Sequence, residues 1–174
     1  MKKILFAVII LFSVSTMVAQ EASEKKNLKK LPAIDVKTLD GKTLNTKDIS
    51  NDGKPIVMSF WATWCKPCVA ELRAIADVYD DWVEETGVKV VAVSTDDAKS
   101  VARVAPFVKG NNWIFDILLD QNKDFQRAMS IPEVPFLCIL NGNGEIVWSH
   151  TSYLPGSEEE IYKIVKALVA EGKK

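Results

Sequence analysis

Cys65 and Cys68, two residues apart in Trp64-Cys65-Lys66-Pro67-Cys68, are the side chains best suited to chemistry. An apolar run, Ile56 to Trp61, leads into them. After them Val69, Leu72, Ile75, Ala76, Tyr79, Trp82 and Val83 recur at steps of three and four. The pattern is a strand, a turn and the N-terminus of a helix, with Pro67 tolerated in the first turn because its missing N–H has no intrahelical partner there. A thiol at a helix start faces unpaired backbone N–H groups and the positive end of the helix dipole, which favour thiolate over thiol. Cys65 is therefore the expected nucleophile.

The chain around this pair has 174 residues, with 22 basic and 23 acidic side chains. Residues 1–19 combine Lys2-Lys3, an apolar run from Ile4 to Phe12 continuing to Val18, and Ala19. That is the pattern of a secretory signal peptide, too short for a comfortable membrane span. An uncleaved N-terminal anchor is the alternative. Without residues 1–19 the chain keeps 20 basic and 23 acidic residues. No nucleic-acid partner is indicated, and Lys25-Lys26-Asn27-Leu28-Lys29-Lys30 reads as part of a solvated linker, 20–30. Residues 31–174 are enough for one domain with its own core. The three cysteines are too few, and odd in number, for a disulfide scaffold, so the close pair reads as chemistry. Cys138, inside an apolar run, reads as a small buried hydrophobe.

The elements that must position the pair follow in order. Leu31 to Leu39, a turn at Asp40-Gly41 and Thr43-Leu44 suggest a short edge hairpin. After the central strand and its helix, which Gly87 ends, Val88 to Val93 is nearly all apolar and β-branched, as in a parallel strand covered on both faces. Thr95-Asp96-Asp97 offers N-caps to a helix bearing Val101, Val104, Ala105 and Val108. Trp113 to Leu119 reads as a strand, and Asp120 or Asn122 as the cap of a brief helix with Phe125, Ala128 and Met129. Phe136 to Leu140 and Glu145 to Ser149 flank Asn141-Gly142-Asn143-Gly144, a hairpin signal. A last helix, Ser157 to Gly172, opens with Ser157 and Glu160 as a capping box. The expected fold class is α/β, a mixed sheet with helices on both faces.

Phe60-Trp61-Ala62-Thr63-Trp64-Cys65-Lys66-Pro67-Cys68, with Val134-Pro135 before a strand hairpin, resembles the thioredoxin fold. More narrowly, residues 31–172 resemble the exported TlpA/ResA-type thiol-disulfide oxidoreductases, including the N-terminal hairpin and a central strand-helix insertion between Val88 and Met129. The resemblance implies that Cys65 attacks and Cys68 resolves, the pair cycling through a Cys65–Cys68 disulfide with no other cofactor. It implies a cis Pro135 against the pair, and Val134 offering its backbone to an extended substrate segment. Glu71, three residues after Cys68 on one helical face, matches the family's Cys-x-x-Cys-x-x-Glu carboxylate and would take the resolving thiol's proton. As a plain residue near a helix start, Glu71 would be a solvated carboxylate favoured by the dipole.

Two positions depart from the resemblance. Ser59 stands where ordinary thioredoxins place a buried Asp, which moves proton handling to Glu71 or water. Phe136 follows the proline where the family usually has Thr, making the groove more apolar. Lys66 adds a small charge effect in favour of the thiolate, weakened if it points to water. Trp64 is an expected exposed flank of the site, with Pro67 beside it, whereas Trp61, Trp82, Trp113 and Trp148 read as core.

These residues point to an extracytoplasmic enzyme exchanging disulfides with protein substrates through Cys65 and Cys68. The resemblance implies a reductant, for example in cytochrome c maturation or envelope thiol maintenance, recharged by a membrane electron donor. The expected location is the periplasm or cell envelope. The alternative class is a metal-binding or metallochaperone protein using the same pair with Cys138 or His150. Cys138 as core and His150 as a surface residue beyond the hairpin weigh against it. A peroxide-reducing relative would carry Pro-x-x-x-Thr-x-x-Cys, but Thr63 stands two residues before Cys65, not three.

Overall fold

The computed structural model describes residues 28–172. The expected signal peptide and most of the expected linker lie outside them. Seven strands form one mixed sheet in the order β2-β1-β5-β4-β3-β6-β7. The strands are β1 (Asp35–Thr38), β2 (Thr43–Asn45), β3 (Ile56–Trp61), β4 (Lys89–Ser94), β5 (Asp116–Leu119), β6 (Phe136–Leu140) and β7 (Ile146–Thr151). Helices α1 (Lys66–Thr86), α2 (Val104–Gly110), α3 (Asp124–Ala128) and α4 (Ser157–Gly172) connect or close them.

All six residues of β3 are buried, as a strand with neighbours on both edges and cover on both faces requires. It runs parallel to β4 and antiparallel to β6. Alternation along β3 sends Val57 and Trp61 into one core and Ile56, Met58 and Phe60 into the other. The first core is roofed by apolar stripes of α1, α2 and α4, with Leu72, Ile75, Val104, Val108, Ile161 and Val165 at its centre. The second is closed by Phe125 of α3, Ile131 and the N-terminal segment through Leu31, Ile34 and Leu44. Helices thus lie on both faces, and the molecule has the expected thioredoxin-like α/β architecture, with its N-terminal hairpin on β5 and the added strand and helices between β4 and β6.

Several local expectations are corrected. The strand expected from Trp113 begins only at Asp116. Trp113 instead packs with Trp61 and Phe107, and Phe115 with Trp113 and Tyr79, their ring centroids 5.1 to 5.9 Å apart. Burial of these rings in the α1-side core takes the segment before Asp116 out of the sheet. The helix expected from Val101 starts as a 3-10 turn, Val101–Arg103. Ser157 forms no capping box; its hydroxyl bonds the backbone of Leu154. Trp148 is only half-buried, at the outer edge of the sheet. Lys29 and Lys30, the end of the stretch expected as linker, are tied to the second hairpin by the bond from Ile146 N–H to Lys29 O and a bridge of Lys30 with Glu145.

Candidate active site

The site is built where β3 ends. The chain leaves the sheet at Trp61, turns through Ala62-Thr63-Trp64, with Cys65 N–H bonded to Ala62 O at 3.0 Å, and enters α1. Cys65 is the N-cap of α1 and Pro67 lies in its first turn, as the missing proline N–H allows. Cys65 and Cys68 form a disulfide. The Cys68 backbone N–H points at Cys65 Sγ, 3.3 Å away, so in the reduced protein a free helix-start donor is aimed at the sulfur expected to carry negative charge. Cys65 is 6% exposed and Cys68 fully buried. An incoming sulfur meets Cys65 first.

The register of β3 with β6 brings the second wall. Phe60 pairs with Phe136, so the preceding residue, Pro135, arrives beside the end of β3 from which the cysteine loop departs. The Val134–Pro135 peptide bond is cis. Pro135 is buried, Val134 is half-buried and packs against the core that contains both cysteines. Trp64, Lys66 and Pro67 are exposed around Cys65, and in water the charge of Lys66 is screened. Phe136 is the exception among the expected substrate contacts. Its ring packs edge-on against Phe60 at 6.0 Å in the opposite core, because alternation along β6 turns it to that face.

Glu71 is not a solvated carboxylate. Its side chain is 1% exposed, and it reaches from α1 to the sheet, where Ser59 Oγ donates to Oε2 at 3.3 Å. The carboxylate that ordinary thioredoxins are expected to place on this strand position is supplied here from the helix, onto the hydroxyl of Ser59. The second oxygen, Oε1, lies 2.8 Å from Nε2 of His150. His150 is thereby corrected from a surface residue to a partner of the site. Ser59 pairs with Leu137 and Leu137 with His150, so the three stand side by side across β3, β6 and β7 on the face that α1 covers. Only that lateral register, which no local pattern encodes, could have identified the histidine.

Asp96 is the other residue that the sequence reading placed elsewhere, as a candidate helix cap. It is fully buried and accepts the Thr63 N–H at 2.8 Å, the Thr63 hydroxyl at 2.6 Å and the Ser94 hydroxyl at 2.9 Å. Asp97 accepts from the N–H groups of Lys99 and Ser100 in the turn before the 3-10 segment, whose N-cap, Ser100, makes no side-chain capping bond. With its hydroxyl committed to Asp96, Thr63 does not serve Cys65 as a peroxide-reducing threonine would.

Cys138 does not join the cysteine pair. It belongs to the core on the far face of the sheet, and burial pushes its thiol up to about 12. His150 is held by Glu71. Among the described residues no group of three or more His, Cys, Asp or Glu side chains is disposed to hold a metal ion, and the metal-binding alternative is not favoured.

A disulfide at the first turn of a helix, fed by the central strand of this mixed sheet, places the molecule in the thioredoxin-like class of thiol-disulfide oxidoreductases. Residues 28–149 match the AhpC/TSA family, to which the chain belongs. The sporulation thiol-disulfide oxidoreductase A of Bacillus subtilis is 32% identical over 130 residues, covering 74% of this chain and 75% of that protein. The thiol-disulfide oxidoreductase ResA of Oceanobacillus iheyensis is 34% identical over 108 residues, 62% of this chain; the match spans about half, 54%, of that relative's length. Among solved structures, a thioredoxin-like protein from Porphyromonas gingivalis superposes with a TM-score of 0.74 at 48% identity, covering 82% of this chain and 93% of the other.

Proposed function

We propose that this protein is an extracytoplasmic reductant that exchanges disulfides with protein substrates through Cys65 and Cys68. The observation that carries the reading is the combination of a barely exposed Cys65 with a buried Cys68 and a buried carboxylate, Glu71, one helical turn further along α1. The Cys65 thiolate attacks one sulfur of a substrate disulfide. The substrate S–S bond breaks, one substrate thiolate leaves, and Cys65 is joined to the other substrate sulfur. Cys68 then gives its proton to Glu71 and attacks Cys65 Sγ. The Cys65–Cys68 bond forms as the second substrate thiolate leaves. Two electrons have passed from the dithiol to the substrate, so no further cofactor is required.

Trp64, Lys66 and Pro67 line the approach to Cys65, and the backbone of Val134 beside Pro135 supports an extended substrate segment. The leader pattern of residues 1–19 supports delivery to the periplasm or cell envelope, with a membrane electron donor returning the pair to the dithiol. Among the described residues no helix is long and apolar enough to cross a membrane. The test is equilibration of the purified protein in glutathione buffers. A strongly reducing couple, near the roughly −270 mV of thioredoxin, is expected; one near about −120 mV, as in strong oxidants, would overturn the reductant reading.

A further inference from the structure

The single histidine of the chain sits against the one buried carboxylate that the proposed exchange uses. We propose that His150 is a positioning residue for the resolving step: its imidazole N–H holds the Glu71 carboxylate as an anion, oriented to receive the proton of Cys68. The proposal rests on the reading of Glu71 as the base.

Three observations carry it. First, the contact is close and specific: Nε2 to Oε1 is 2.8 Å, between residues 79 positions apart in the chain. Second, a carboxylate as buried as Glu71 must have donors, because water cannot reach it, and an anion without them would retreat to the neutral acid. The contacts of its side chain are Ser59, a neutral hydroxyl at 3.3 Å, and His150. The histidine is the nearer of the two and the one that can also carry positive charge. Third, His150 is itself held. Its ring packs on Trp148 with centroids 4.9 Å apart, and its strand is locked to β6 through the Leu137 pairing. The His150 side chain is 18% exposed against 1% for Glu71, so it also links the buried carboxylate to solvent.

Glu71 faces His150 from α1. Tyr153, in the turn after β7, stands within reach of the same carboxylate: its hydroxyl is raised first by burial and then by the charges of Glu158 and Glu71.

The full chain in its reduced form, mixed with dithionitrobenzoate, separates the two chemical steps. Attack by Cys65 releases one nitrothiobenzoate and leaves the other as a mixed disulfide on Cys65. Attack by Cys68 on Cys65 Sγ then closes the protein disulfide and releases the second. In His150→Leu the ratio of second-phase to first-phase rate should fall about tenfold near neutral pH, a modest share of a general-base effect. The pH at which the second phase reaches half its plateau should move as well, while that of the first phase stays in place, because only the second step uses the carboxylate that His150 holds. His150→Gln, which keeps an N–H donor, should recover most of the ratio, and Glu71→Gln/His150→Leu should be no slower than Glu71→Gln. Unchanged ratio and midpoint in His150→Leu would overturn the role of His150, as would additive losses in the double variant. If Glu71→Gln itself leaves the second phase unchanged, the reading of Glu71 as the base has failed instead. A merely structural histidine would lower the urea midpoint without moving the pH midpoint.

Discussion

Asp96 holds Thr63 through both its backbone N–H and its hydroxyl, at 2.8 and 2.6 Å, across 33 residues of chain. The pair closes the turn between β3 and α1, and so sets where Cys65 stands relative to the sheet. Asp96→Ala leaves the Thr63 donors and the buried Ser94 hydroxyl without their acceptor, and should destabilise the oxidised protein by about 1–3 kcal/mol. Thr63→Val removes only the hydroxyl bond and should cost less. Urea unfolding measures both; a midpoint for Asp96→Ala within error of the parent would show that the turn does not depend on this contact.

The unequal exposure of the two cysteines predicts unequal trapping. Cys68→Ser should accumulate mixed disulfides with partner proteins in cells, since Cys65 can attack but nothing releases it. Cys65→Ser should trap little, because Cys68 is buried. Non-reducing gels of the two variants make the comparison, and equal trapping would refute the assignment of roles.

Cys138 should make the fold sensitive to alkali. Burial raises its thiol from an ordinary 9.0 to about 12. Both folded and unfolded chains keep the proton below about 9, so nothing is lost there. Above that, only the unfolded chain releases it, and stability falls by up to about 1.4 kcal/mol per pH unit until the folded thiol also ionises. Cys138→Ala lacks this contribution. The stability difference between parent and variant, followed by urea titration across the alkaline range, should therefore shift against the parent as pH rises. Parallel curves would show the thiol is not protected.

Gly142, in the hairpin turn between β6 and β7, should not accept a side chain. A Cβ there would overlap the carbonyl group of Gly53, backbone that cannot swing aside. Gly142→Ala should destabilise by about 1–3 kcal/mol through forced backbone movement, whereas replacement of the neighbouring exposed Asn143 by alanine should cost much less. Thermal unfolding of the two variants decides this, and equal midpoints would mean that the turn yields freely.

The turn at 141–144 shows how far local pattern reaches. Its Asn and Gly residues announce a hairpin, and Gly144 does adopt φ +72°. That Gly142 is required by a neighbouring loop 89 positions earlier is invisible until the loops meet. The same division runs through the site. Cys65, Cys68 and Pro67, like the helix that they begin, were legible because strand, turn and helix start are properties of consecutive residues. Glu71 was legible as a neighbour of Cys68 because three residues are nearly one helical turn.

By itself the sequence determined a mixed α/β domain with a reactive thiol at a helix start and a carboxylate one turn on, because hydrophobic period and turn chemistry are written locally. Only the tertiary structure decided what surrounds them. Asp96 and Asp97 are chemically identical neighbours, yet one caps a turn and the other anchors the cysteine loop, since only Asp96 points toward Thr63. His150 reads as a surface residue beyond the hairpin until the pairing of β3, β6 and β7 sets it in line with Leu137 and Ser59 on the face that α1 covers. Strand register and helix docking are choices among non-local contacts, and it was those contacts that turned a lone histidine into the partner of a buried glutamate.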